Sequence, residues 1–276
     1  AVYHCMSRTV NGEWLFDDVA KEVLRRQFWQ VSNYCGVQIV TYSILSNHFH
    51  VLVRVPQQGP VSDTELLRRY RVLYPKPTAY QMARLEVVQA ELAANGPEAR
   101  VWRQRQLALM GDVSPFMKLL KQRFSIWFNK SHQRFGTLWA ERFKSVLVET
   151  GERILQTIAA YIDLNCVRAG LVEDPKEYRF CGYAEAVAGN KLAQEGIGSV
   201  LGGHGWEDVQ AKYRELIFGS GVGLREGTAN VSASDFQRVI AEGGNLPLAT
   251  ILRCRIRYFT DGAVLGSMVF VETQLA

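Results

Sequence analysis

The run Ser46-Asn47-His48-Phe49-His50-Val51-Leu52-Val53-Arg54-Val55, closed by Pro56, constrains the fold more than any other stretch. Apolar and β-branched side chains dominate it, so it reads as a buried strand. Side chains alternate along a strand, which puts His48 and His50 on one face and sends Phe49 into the opposite layer. Two imidazoles fixed on one face can hold a divalent metal ion and leave positions open for a substrate. The plainer reading keeps both rings as hydrogen-bonded groups near the sheet surface.

The rest of the chain alternates strands and helices. Residues 2–9 read as extended, followed by an Asn11-Gly12 turn. Asp17 or Asp18 caps a helix to about Tyr34, with Val19, Val23, Leu24, Phe28 and Val31 on its apolar side and Gly36 at its end. Residues 37–45 and 48–55 form a hairpin turning at Ser46-Asn47. Residues 61–113 are helix-rich, polar and mixed in charge, broken at Pro75-Lys76-Pro77, and read as a helical insertion. Ser114-Pro115 opens a helix over 115–130 with serine as its cap. A strand at 143–149 precedes a helix from Glu152 to about Arg168, closed by Ala169-Gly170. Tyr161 and Asn165 stand i, i+4 on that helix and share a face. Beyond 189, the glycines of Gly189-Asn190, Gly196-Ile197-Gly198 and Gly202-Gly203-His204-Gly205 read as linker and turn. Helical patterns follow at 206–218 and 234–242. The run from Ile251 to Phe259 then alternates three arginines that suit phosphates or a structural cap.

Composition narrows the class. With 276 residues, 47% hydrophobic and 21% charged, the chain can bury a full core. No stretch approaches the roughly 18 unbroken apolar residues of a membrane span, and the first residues lack a signal-peptide pattern. Five scattered cysteines (Cys5, Cys35, Cys166, Cys181, Cys254), none in a Cys-x-x-Cys pair, point to reduced thiols, a cytoplasmic setting and no thiolate zinc site. The net charge is +5. Residues 118–144 alone hold seven lysines and arginines against one acid, Glu141, interleaved with aromatics. Such a stretch suits single-stranded nucleic acid, with cations on phosphates and rings on unpaired bases. Phe116, Leu120, Phe124, Trp127 and Phe128 fall on one helical face, however, and read as core, so the charge is the better indicator. Candidate phosphate contacts are Arg8, Lys121, Arg123, Arg134, Arg142, Lys144 and Arg168. Arg142 and Lys144 alternate on the expected strand and are the best placed.

A tyrosine hydroxyl one helical turn from a metal-capable amide can attack a phosphate held on that metal, forming a phosphotyrosine link. Taken alone, without the histidines, Tyr161 reads better as a helix tyrosine with a packed ring and a wet hydroxyl than as a nucleophile.

Four blocks in order then carry a family resemblance: Tyr3-His4-Cys5-Met6-Ser7-Arg8, Ser46-Asn47-His48-Phe49-His50, residues 136–145 (GTLWAERFKS) and residues 161–172 (YIDLNCVRAGLV). The chain resembles the REP-associated tyrosine transposases of the HUH single-tyrosine superfamily over about residues 1–185, outside 61–113. The resemblance implies an α+β fold, an antiparallel sheet with helices packed on it, related to the RNA-recognition-motif and ferredoxin-like plan. It implies a catalytic domain over 1–188 with 61–113 inserted and a C-terminal extension over 189–276. It implies that His48 and His50 bind Mg²⁺ or Mn²⁺ with Asn165 as third ligand, and that Tyr161 is the nucleophile. The implied substrate is single-stranded DNA beside a hairpin-forming palindrome, cleaved to a 5′-phosphotyrosine and a free 3′-hydroxyl and rejoined by reversal. Two positions depart from the pattern: Cys166 where proline is common after the asparagine, and a loose Phe180-Cys181-Gly182-Tyr183 block. A domesticated, non-catalytic nucleic-acid-binding protein and a water-using metal-dependent nuclease remain as alternatives. Both a monomer and a homodimer fit the sequence.

Overall fold

The alternation at His48-Phe49-His50 and the apolar run behind it place this strand inside a sheet. In the structure, a computed structural model that describes residues 1–57, 59–218 and 262–275, that strand is β3 (His48–Arg54). It is flanked by β1 (Val2–Arg8) and β2 (Gln38–Ile44), and β4 (Lys144–Val148) lies beyond β1. The sheet order is β2-β3-β1-β4-β5, with β5 (Val264–Leu265) at the edge. The α+β architecture stands as expected, with one difference: the sheet is mixed. β5 (Val264–Leu265) pairs parallel to β4, while β1 runs antiparallel to both β3 and β4. β5 contributes two residues from far along the chain, too short a run to carry any periodic signal.

The described residues pack as two units. The first comprises 1–25, 39–54 and 135–276, and the second comprises 26–38 and 55–134. The helix α1 (Asp18–Cys35) contributes to both. Asp17 caps it, accepting from the Ala20 amide at 2.7 Å, and Gly36, at φ 66°, ends it.

In the first unit, Phe49, Val51, Leu52 and Val53 of β3 are fully buried. Phe49 packs edge-on to Trp139, with ring centroids 5.6 Å apart, in the layer opposite the histidines. The other face is covered by α6 (Glu152–Asp163), and α9 (Lys191–Leu201) and α10 (Trp206–Phe218) pack against α6. Two expectations change here. The helix expected from Glu152 to Arg168 is broken: Leu164, at φ −78° and ψ 0°, separates α6 from the single turn α7 (Asn165–Arg168). Tyr161 and Asn165 therefore sit on two segments rather than one continuous helix. Gly170, at φ 70°, ends α7, and the amides of Gly170 and Leu171 return to the Val167 and Cys166 carbonyls, closing the turn. The Gly196-Ile197-Gly198 stretch is helix α9, not linker, and glycine stands at 196 because an adjacent backbone approaches too closely for a side chain. The short helix α8 (Gly182–Val187) is capped by the Cys181 thiol. The last described helix, α11 (Met268–Leu275), follows β5. The helix expected at 234–242 and the arginine run at 251–259 lie outside the described residues.

The second unit holds α2 (Asp63–Leu73), α3 (Ala79–Ala93), α4 (Pro97–Leu107) and α5 (Val113–Ser131). The α5 cap is Asp112, which accepts from the Ser114 amide at 2.7 Å, so Ser114 lies inside the helix and does not cap it. Phe116, Leu120, Phe124 and Phe128 are its buried stripe, as the helical period predicts. No helix among the described residues is long and apolar enough to cross a membrane.

Candidate functional site

Strand pairing builds the site. In antiparallel partners, opposed residues share a face. β1 and β3 oppose Arg8 to His48, Met6 to His50 and His4 to Leu52. His4, Arg8, His48 and His50 therefore project to one side of the sheet. On the other edge of β1, Lys144 opposes Met6, which adds Lys144 to the same face, two strand spacings from His50, roughly 10 Å. Sequence reading noted His4 as a histidine but gave it no role. The signal was its even spacing in an extended segment, and only the pairing register turns it toward His50.

The imidazoles are tightly engaged. His4 Nε2 lies 2.9 Å from His50 Nδ1, and the two rings stack with centroids 5.1 Å apart. His48 stands nearly perpendicular to His50, with centroids 5.2 Å apart. Its Nδ1 lies 2.6 Å from Asn47 Oδ1. His4 and His50 are buried, whereas His48 is partly exposed.

α6 brings Tyr161 over this face. Its ring centroid lies 6.2 Å from that of His50 and 6.4 Å from that of His4. Tyr161 is 3% exposed. The Arg168 guanidinium from α7 sits 4.0 Å above the Tyr161 ring. Arg168 Nη2 donates to the Tyr161 carbonyl at 2.7 Å and to Asn165 Oδ1 at 3.3 Å. Asn165 Nδ2 is 3.5 Å from His48 Nε2. Burial lowers the pKa of Arg168 from its ordinary value, while Tyr161 and Cys166 oppose that shift.

One further residue fixes this arrangement and was not singled out from the sequence: Asp163, fully buried two residues after Tyr161. Its carboxylate accepts from Thr41 Oγ1 of β2 at 2.8 and 2.9 Å, from the Tyr183 amide of α8 at 3.1 Å and from Tyr213 Oη of α10 at 2.5 Å. It ties the end of α6 to three elements at once. Burial pushes its pKa up to about 7, against the downward pull of these hydrogen bonds.

The structure thus brings together His48, His50, Tyr161, Asn165 and Arg168, with Arg8 and Lys144 on the same side of the sheet. Arg142 does not alternate with Lys144 on a strand: β4 starts at Lys144, and Arg142 is exposed in the preceding loop. Lys121, Arg123 and Arg134 belong to the second unit. There Lys121 is buried, and Arg123 donates to the Leu73 carbonyl at 2.9 Å and lies 5.1 Å over the Tyr74 ring. Both are engaged in packing, which a positive window in the sequence does not reveal. The four described cysteines are buried, and burial pushes the thiols of Cys5, Cys35 and Cys181 up, away from the reactive thiolate.

Among the described residues, no group of three or more His, Cys, Asp or Glu side chains is set to hold a metal ion. An ion here would be held by imidazole nitrogens of His48 and His50, by the Asn165 amide oxygen once turned from Arg168, and by oxygens from a substrate.

No protein-family model and no curated protein matches the chain. Among solved structures it is similar to a REP-associated tyrosine transposase bound to a REP hairpin, at 14% identity and a TM-score of 0.38, over 68% of this chain and 79% of that one.

Proposed function

We propose that the histidine face of the sheet cleaves and rejoins single-stranded DNA beside hairpin-forming repeats, with Tyr161 as nucleophile and Mg²⁺ or Mn²⁺ held at His48 and His50. The observation that carries this reading is the convergence of His48, His50, Tyr161 and Asn165 from β3, α6 and α7. The four sequence blocks that resemble those of the REP-associated transposases support it, since each contributes residues to this face or to the layer beneath it.

The donor set fits a weakly held hard cation. Two imidazoles and an amide favour Mg²⁺ or Mn²⁺ only when phosphate oxygens complete the shell. When bound, the ion would polarise the phosphoryl oxygens and orient the scissile bond. Tyr161 Oη forms the bond to phosphorus as the P–O3′ bond breaks; the tyrosine proton leaves and the departing 3′ oxygen gains one. The products are a 5′-phosphotyrosine and a free 3′-hydroxyl, and attack by a 3′-hydroxyl reverses the step without a nucleotide cofactor. Arg168 holds the Tyr161 carbonyl and ring. Arg8 and Lys144 would receive flanking phosphates.

One observation favours a second reading. Tyr161 is almost fully buried beneath Arg168, as a packing residue would be. In a water-using nuclease or a non-catalytic binding protein, its hydroxyl would never reach phosphorus.

A denaturing gel of the full chain with labelled single-stranded hairpins and Mn²⁺ separates these. The expected result is a slow covalent band, lost in Tyr161→Phe, in the His48→Ala/His50→Ala double variant and on chelation. Metal-dependent cleavage that survives in Tyr161→Phe without an adduct would overturn the tyrosine mechanism in favour of hydrolysis. Binding without cleavage across hairpins would establish the non-catalytic reading instead.

A further inference from the structure

We infer that Asn47 and His4 are positioning residues that fix the tautomers of His48 and His50, so that each offers an Nε2 lone pair to the site. This rests on the reading of the two histidines as a metal pair.

The argument begins at a turn. Asn11 and Gly12 both have positive φ, 54° and 69°, and the turn presents the Gly12 carbonyl to Asn47. A carbonyl can only accept, so Asn47 Nδ2 must be the atom facing it, at 3.0 Å. That settles which end of the Asn47 amide is oxygen, a choice otherwise ambiguous. The Asn47 backbone is pinned as well, since its carbonyl accepts from the Thr9 amide at 2.9 Å and from Thr9 Oγ1 at 3.1 Å. Asn47 Oδ1 is then held 2.6 Å from His48 Nδ1. An amide oxygen cannot donate, so His48 Nδ1 carries the proton and neutral His48 has its lone pair on Nε2.

The opposite side of the ring agrees independently. Arg168 can only donate, and its Nη2 meets Asn165 Oδ1 at 3.3 Å. Asn165 Nδ2 is therefore the end turned to His48 Nε2, at 3.5 Å, and a donor there requires an acceptor nitrogen. Two neighbours on different elements specify one tautomer.

His50 is held by its own partner. His50 Nδ1 lies 2.9 Å from His4 Nε2, which engages that side of the ring. We place the proton of this bond on His50 Nδ1, which leaves its Nε2 a lone pair and makes His4 the acceptor that orients it. Nearly every metal-bound histidine has such a partner on its other nitrogen, and loss of one typically costs about 10–100-fold in metal affinity.

Two-bond ¹H–¹⁵N correlation spectra of the full chain with ¹⁵N-labelled histidine test this at about pH 8, where an ordinary imidazole is neutral. Signals are assigned by their loss in His48→Ala and His50→Ala. Both histidines should show the Nδ1–H pattern. Asn47→Leu should release His48 toward the Nε2–H form, while Asn47→Asp keeps the acceptor and the pattern. His4→Phe, which preserves ring volume, should release His50; His4→Gln, whose Oε1 can accept in place of Nε2, should restore it. Titration with Mn²⁺ alone, read as paramagnetic broadening of these signals, should need about 10–100-fold more metal in Asn47→Leu and His4→Phe and near wild-type levels in Asn47→Asp and His4→Gln. An Nε2–H pattern for either histidine in the wild type, or tautomers and Mn²⁺ response unmoved by the Leu and Phe variants, would overturn the inference. The spectra need neither metal nor DNA. Correct tautomers without a phosphotyrosine adduct would thus uphold the positioning role and defeat the proposed reaction.

Discussion

At the scale of single residues, the buried Asp163 decides how α6 is held. Its carboxyl meets two hydroxyls and a backbone amide, yet burial dominates and raises its pKa from 3.8 to about 7. An acid whose folded pKa is raised holds its proton more tightly when folded. Its contribution is full below about pH 4, falls as pH rises and is gone by about pH 7. A shift of this size corresponds to about 4 kcal/mol at most. Asp163→Asn, which mimics the neutral acid, should therefore lose this component. Urea unfolding at several pH values between about 4 and 8 should show stability declining with pH less steeply in the variant than in the wild type. Equal slopes would mean that the carboxyl titrates alike in the folded and unfolded chain. Nothing in the local sequence marked Asp163, because a lone aspartate in an amphipathic helix ordinarily reads as solvated. Its partners Thr41, Tyr183 and Tyr213 come from three distant segments.

At the scale of elements, α9 shows why glycine misleads when read locally. A Cβ on Gly196 would lie 2.4 Å from the Ile39 carbonyl oxygen and 2.6 Å from that of Val40, both backbone atoms that cannot swing aside. On Gly198 the nearest atom would be Val209 Cγ2 at an ordinary 3.8 Å. In an open helix, Gly→Ala gains about 1 kcal/mol. Gly198→Ala should gain stability by up to that amount, while Gly196→Ala should lose about 1–3 kcal/mol through forced separation of α9 from β2. Denaturant midpoints of the two variants measure this directly, and a stabilised Gly196→Ala would show that the close approach is absent in solution. The break between α6 and α7 has a similar lesson. Periodicity ran through Leu164 without interruption, and the interruption places Arg168 where it can return to the Tyr161 carbonyl.

At the scale of the whole molecule, the net charge of +5 favours a polyanion but does not say which cations meet it. Arg8 and Lys144 share the histidine face, whereas Lys121 and Arg123 are engaged within the second unit. For single-stranded DNA, each phosphate contact contributes about 0.7 to the slope of log affinity against log salt. Arg8→Ala and Lys144→Ala should each lower that slope by about 0.7, and Lys121→Met and Arg123→Met should leave it unchanged. Fluorescence anisotropy with a labelled oligonucleotide over a salt series reads the slope. A fall only in the α5 variants would move the binding face away from the histidines.

Pattern along the chain marks the strand carrying His48 and His50, the amphipathic helices and the four blocks that carry the resemblance to tyrosine transposases. These features depend on contacts close along the chain, where periods of 2 and 3.6 residues are visible. Packing between distant segments sets the parallel joining of β5, the anchoring of α6 by Asp163, and the engagement of the two histidines by Asn47 and His4. Each of these is set by strand register or by hydrogen bonds between residues far apart in the chain, and neither leaves a local pattern to read.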